Sequence, residues 1–214
     1  MIITFSHQKG GVGKSTLAWN LSVLLQKKYN IQLVDLDAQK TLTIVNNIRA
    51  KNPKLKMVNV RSFENKEELL AYIKNDSDDR LSIIDVGGFD SNINRIAIAY
   101  ADIVITPVSD KEMDLFGLQS FERILGEISE SINDKVVVKV LLNDINPQKS
   151  KLEDIREFIT RSSHFELLDT VIRTRADFAH SVGKGMSVVE YNEDGKASKE
   201  AKSLAKEIKK LLKG

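Results

Sequence analysis

The 214-residue chain contains no cysteine. Disulfides, thiolate zinc sites and cysteine-ligated iron–sulfur clusters are therefore excluded, and a reducing compartment is compatible with the composition. Proline occurs only three times, and no Pro-, Gly- or Ser-rich linker divides the sequence. No segment approaches 18 uninterrupted apolar residues, and no basic stretch leads into a long apolar one. Neither a membrane span nor a secretory leader is expected. Net charge is small as well: 32 Lys and Arg against 30 Asp and Glu leave +2 at neutral pH. Nothing global demands a polyanionic partner. What remains is 42% hydrophobic and 29% charged residues, the make-up of an ordinary globular protein.

Apolar runs of strand length alternate with helical periodicity along the chain. Strands are expected at Ile2–Phe5, Ile31–Asp35, Lys56–Val60, Leu81–Asp85, Ile103–Pro107, Val136–Leu142 and Leu168–Ile172. Most are apolar on both faces, as in strands buried between two helix layers. Helical patterns fall at Ser15–Lys28, Lys40–Ala50, Lys66–Asn75, Ser91–Tyr100, Met113–Ile132 and Ser150–Ser162. This β-α-β rhythm predicts an α/β fold, a doubly wound and mainly parallel sheet in one domain over residues 1–214. Ligands gather at the carboxyl ends of such strands.

The first of these junctions carries Lys9-Gly10-Gly11-Val12-Gly13-Lys14-Ser15-Thr16. A glycine-rich turn between a strand and a helix is a phosphate cradle. Its backbone N–H groups converge on the anion, and the helix N-terminus adds about half a positive charge. In this pattern Gly10, Gly11, Val12, Gly13 and Thr16 line the cradle, Lys14 reaches the β- and γ-phosphates, and the Ser15 hydroxyl ligates Mg²⁺. Gln8 stands where the usual pattern begins with glycine. A second lysine, Lys9, sits ahead of the glycines and is poorly placed to fold back onto its own nucleotide. It is suited to reach the nucleotide of a facing subunit.

Carboxylates end two further strands. Leu33-Val34-Asp35-Leu36-Asp37-Ala38-Gln39 presents Asp35 and Asp37 at the same sheet edge, suited to a cation or to the attacking water. The plainer reading is a helix capped by Asp37 with Asp35 solvated. Leu81–Ile84 leads into Asp85, the expected partner of a magnesium-bound water, and Gly87-Gly88 follows it. Asn143 ends a later strand; its amide suits an adenine edge, and a turn asparagine is nearly as good a description. His7, His164 and His180 show no ligand spacing.

The last helical pattern, Lys196–Lys213, carries seven lysines and two glutamates around an apolar stripe. Core packing with a solvated basic face, a membrane-surface helix and a DNA contact all fit this pattern.

Taken together, Lys9–Thr16, Leu33–Gln39, Ile83–Gly88, Ala101–Pro107, Ile172–Asp177 and Gly183–Tyr191 resemble the ParA/MinD group of deviant Walker ATPases. Asp85-Val86-Gly87-Gly88-Phe89-Asp90-Ser91 looks most like the small plasmid-type ParA proteins, which lack an N-terminal DNA-binding domain; none is expected here. The resemblance implies ATP and Mg²⁺ as ligands and a face-to-face homodimer on ATP binding, with Lys9 crossing to the partner's phosphates. It implies sequence-independent DNA binding and hydrolysis stimulated by a ParB-like protein. Lys9, Lys14 and Asp37 would act in catalysis. Ser15, Asp37 and Asp85 would serve the metal, and Arg173 and Arg175 would lie in a DNA-contacting segment. A cytoplasmic, nucleoid-associated protein without stable membrane attachment follows. A membrane-surface positioning ATPase similar to MinD is the alternative, and a nucleotide-binding scaffold a third. Cysteine-dependent metal carriers of the same fold are excluded. Gln8, Ala38 and Lys40 depart from the family's pattern.

Overall fold

The computed structural model describes residues 1–75 and 79–213. Strands β1 (Ile2–Phe5), β2 (Asn30–Asp35), β3 (Asn59–Arg61), β4 (Arg80–Asp85), β5 (Ile103–Val108), β6 (Val138–Ile145) and β7 (Phe165–Arg173) form one sheet. Its order is β3-β2-β4-β1-β5-β6-β7, and every pairing is parallel. The central strands are buried on both faces, which is why they read as continuous Ile/Val/Leu runs rather than alternating ones. Pro107 is tolerated inside β5 because the ladder from β1 ends at Phe5 opposite Ile105.

Helices cover both faces. Ile3, Phe5, Leu33 and Ile83 pack with α1 (Lys14–Leu25), α2 (Thr41–Arg49) and α9 (Lys196–Leu211). Their neighbours Ile2, Val34, Ile84 and Val104 point the other way, towards α3 (Lys66–Lys74), α4 (Asn92–Ala99), α5 (Glu112–Ile132) and α6 (Glu153–Thr160). Period-two alternation along each strand thus feeds two separate cores.

Three expectations shift. Strand β3 pairs only over Asn59–Arg61, not Lys56–Val60. Side chains of α2 hold the preceding residues off the ladder: Asn46 brackets Val58 through its amide and carbonyl, and Arg49 Nε donates to Lys56 O at 2.6 Å. Helix α2 begins at Thr41, because Lys40 adopts a left-handed backbone, φ 49°. Two short helices, α7 (Ala176–Val182) and α8 (Val188–Tyr191), lie in a stretch where periodicity announced none. At seven and four residues they are too short to carry a periodic signal. Helix α8 rests instead on a capping box: the Ser187 hydroxyl accepts the Glu190 N–H, and the Glu190 carboxylate accepts the Ser187 N–H.

Candidate nucleotide site

The parallel register brings Phe5, Asp35 and Asp85 side by side at the carboxyl ends of β1, β2 and β4. The glycine-rich loop rises from β1 at this edge and runs into α1. Gly11 (φ 80°) and Gly13 (φ 97°) hold left-handed conformations that a side chain would strain. Space is tight as well: a Cβ on Gly13 would meet Asn143 Nδ2 at 2.4 Å, and one on Gly88 would meet Gly10 N at 2.6 Å. The loop after β4 therefore lies directly against the cradle. Helix α1 starts at Gly13 with no side-chain cap and no acidic residue in its first turn. In contrast, Asn65, Ser91 and Ser187 cap α3, α4 and α8. The first N–H groups of α1 remain available to an anion.

Lys14 and Asp85 face each other inside this edge, both buried. The Lys14 ammonium donates to Lys9 O at 3.2 Å. Burial lowers its pKa, opposed by the charges of Asp85 and Asp37. Burial pushes the Asp85 carboxyl up to about 7, opposed by the Ser15 hydroxyl and Lys14. Ser15 is close enough to favour the charged form, yet neither Asp85 oxygen has a partner in full hydrogen-bond geometry. One Asp35 oxygen is likewise unpartnered. Buried polar groups rarely go unpaired, so a cluster of them marks a place where a ligand belongs. Among the described residues no group of three His, Asp or Glu could by itself hold a metal ion. The donors fit Mg²⁺ instead: a hydroxyl, an orphaned carboxylate and room for phosphate oxygens and water, the shell this ion prefers.

Asp35 and Asp37 divide their labour differently from either sequence reading. Asp35 is fully buried, not solvated. Its Oδ2 accepts the N–H and hydroxyl of Thr43 at 3.0 and 2.9 Å, so it secures the first turn of α2. Asp37 does not cap that helix. It is half-buried in the loop, where its Oδ1 accepts the Gln39 N–H at 2.9 Å.

Lys9 turns away from the cradle it introduces. Its ammonium donates to Asp114 Oδ1 on the first turn of α5, and the Ser109 hydroxyl donates to Asp114 Oδ2. Burial alone would raise the Asp114 pKa; hydrogen bonds from Lys9 and Ser109 outweigh it and hold the carboxyl below its ordinary value. The Lys9 side chain is still 39% exposed. His7 supports the same turn. It is fully buried, and burial, then the charge of Lys14, depress its pKa to about 4. The neutral ring accepts the Lys9 N–H at Nδ1, 3.0 Å away. Gly117 of α5 leaves room for it, since a Cβ there would lie 2.6 Å from His7 Cε1. Neither His7 nor Asp114 was singled out by the sequence; a strand-end histidine before the glycines was the only signal.

On the other side of the loop lies a cleft of about 310 Å³ lined by Gly13, Thr16, Asn143, Arg173, Arg175 and Phe178 among others. Asn143 donates to Val12 O at 2.8 Å, so part of its amide holds the loop itself. Arg173 donates to Asn146 O and Lys149 O, and Arg175 pairs with Glu200 at 2.9 Å. Both arginines thus border the nucleotide cleft with their guanidinium groups already engaged.

The comparisons with known proteins agree with this geometry. Residues 3–188 match the family described as the CobQ/CobB/MinD/ParA nucleotide binding domain. The protein ParA of Rhizobium radiobacter is 30% identical over 149 residues, 68% of this chain and 65% of its own length. The chain thus spans just under two thirds of that relative. The maintenance of carboxysome distribution protein A of Halothiobacillus neapolitanus is 24% identical over 98% of this chain and 94% of its own. Among solved structures, a plasmid partition protein of Borrelia burgdorferi bound to AMPPNP superposes with TM-score 0.68 at 17% identity, covering 98% of each chain. A fully parallel sheet, an uncapped helix behind a glycine loop and a match across most of the sequence lead to one assignment: the chain belongs to the ParA/MinD family of P-loop ATPases.

Proposed function

We propose that the chain is an ATP-driven partition ATPase. ATP joins two copies face to face, the dimer holds DNA without sequence preference, and a ParB-like partner stimulates hydrolysis that releases it. The observation that carries this reading is Lys9. A cation at the mouth of a phosphate cradle is held by Asp114 outside its own cradle, half-exposed and free to turn outward. Large apolar side chains supply a face for a second copy. Phe89, Met113 and Phe116 are all more than half exposed on the loops and first helical turn at this edge.

In that assembly Lys14 binds the β- and γ-phosphates, and the free N–H groups of α1 complete the cradle. Ser15 would hold Mg²⁺, with Asp85 accepting from a water on it; the bound ion would neutralise charge developing on the phosphates. Asp37 orients the water that attacks the γ-phosphorus as the β–γ anhydride bond breaks. Lys9 of one copy stabilises the charge on the other copy's nucleotide. Asn143 and the adjoining cleft receive the base. On this reading the protein is cytoplasmic and resides on the nucleoid while ATP-bound. No helix among the described residues is long and apolar enough to cross a membrane.

The test is molar mass by light scattering with saturating ATP and Mg²⁺. Asp37→Ala should give a stable dimer that retains ATP, and Lys9→Ala should bind ATP yet remain a monomer. A monomeric Asp37→Ala protein would refute the reading.

A further inference from the structure

Helix α9 carries its charges on two separate faces. At about 100° per residue, Lys196, Lys199, Lys202, Lys206, Lys210 and Lys213 fall within an arc of about 120° that runs about 25 Å along the helix. All six are exposed. Ala197, Ala201, Leu204, Ala205 and Ile208 take the opposite arc and are buried. The two glutamates lie on the flank between them, and both are consumed by β7. Glu207 accepts the N–H groups of Asp169 and Thr170 at 2.7 and 3.0 Å. Glu200 accepts the N–H of Arg173 at 3.0 Å and pairs with the Arg175 guanidinium. These carboxylates close donors on an open sheet edge that could otherwise pair with a foreign strand. They are thereby withdrawn from the lysines. Among the described residues only Lys202 has an acidic partner, Glu193 at 3.6 Å.

We propose that this lysine stripe is the surface that binds duplex DNA, through its phosphates and without reading bases. The inference rests on the partition reading above and supplies its missing interface, since Arg173 and Arg175 are engaged within the fold. The spacing fits the ligand. Lysines recur every 4.5–6 Å along α9, and duplex DNA presents a charge about every 1.7 Å of its axis. A bilayer fits less well. The apolar stripe of α9 is spent on the core, and the helix has no aromatic residue, so nothing remains to insert among acyl chains. Nucleotide control then needs no change within α9. One stripe binds weakly, and two stripes joined by the ATP dimer bind at high effective concentration.

The experiment is fluorescence anisotropy of a random-sequence 30-base-pair duplex, titrated with ATP and Mg²⁺ across a salt series. The quadruple variant Lys199→Gln, Lys202→Gln, Lys206→Gln, Lys210→Gln should bind more than about tenfold more weakly at 0.1 M salt. Its log–log salt slope should be shallower by about 3–4, near 0.9 per lost phosphate contact. The same four positions changed to arginine should bind as the unaltered chain does, and basal ATP hydrolysis without DNA should be equal in all three. If the glutamine variant matches the unaltered chain in affinity and slope, the stripe is not the interface, although the partition reading survives. If the unaltered chain binds no duplex in either nucleotide state, both fall. Binding to phosphatidylglycerol vesicles in place of duplex overturns the DNA assignment alone.

Discussion

Two buried clusters of charge lie on this fold, and they are built on opposite principles. Around Arg49 every donor is used. The side chain is fully buried; it donates to Lys56 O, to Gly185 O and to both Glu190 oxygens, and stacks 5.8 Å from the Trp19 ring centre. Around Asp85 the reverse holds. Both of its oxygens, one oxygen of Asp35 and Nε2 of His7 have no partner. A satisfied cluster fixes α2 against α8 and has no capacity left for a ligand. An orphaned cluster spends folding energy to hold groups in wait. The difference separates architecture from site without appeal to any relative.

The largest effect comes from breaking the satisfied cluster. Arg49→Met leaves Glu190 buried beside an apolar side chain and strands two carbonyls. It should cost about 3–5 kcal/mol of unfolding free energy, the usual penalty for removing one partner of a buried pair. Urea unfolding would measure it, and a loss below about 1 kcal/mol would mean the cluster is not structural. Glu190→Gln keeps hydrogen bonding to the guanidinium and should cost less.

The orphaned cluster should answer in the opposite direction. Asp85→Asn removes a buried carboxyl whose folded pKa, about 7, lies above its unfolded value of 3.8. A raised carboxyl pKa means the folded state binds more protons between those values, so this group's contribution to stability falls as pH rises through that window. Relative to the unaltered protein, the nucleotide-free variant should therefore gain stability from pH 4 to pH 7, by at most about 1.4 kcal/mol per unit, and level off above. His7 works against this in the parent protein. Its pKa is depressed from 6.5 to about 4, so the unfolded state binds the extra proton and stability rises with pH over that range. The parent's curve should be flatter there than either Asp85→Asn or His7→Gln alone. Asp85→Asn should still lose ATP turnover, which thermal melts and phosphate release would show side by side. A variant destabilised at pH 7 would abolish the contrast between the two clusters.

The same contrast explains what could be read in advance. The sheet and the cradle were legible because their signals are local: apolar runs of strand length, and glycines within one short loop. The pairings were not. Lys9 meets Asp114 across 105 residues, and Arg49 meets Glu190 across 141. Charged side chains at such separations look like any solvated face until the fold joins them. Asp35 was legible as a strand-end carboxylate, but only the packing of α2 shows that it holds Thr43 while Asp37 stays in the loop.

Asn143 stands between the two kinds of cluster. Its amide donor is satisfied by Val12 O, while its side chain lines the cleft beside Gly13. Asn143→Ala should therefore produce the smallest and most mixed response. Loss of one neutral hydrogen bond should cost about 0.5–1.5 kcal/mol. The cradle would lose the strut that presses against Gly13, so nucleotide affinity should fall by several-fold while turnover at saturating ATP changes little. A drop in turnover at saturation with affinity intact would show that Asn143 acts on the reacting phosphates rather than on the loop that holds them.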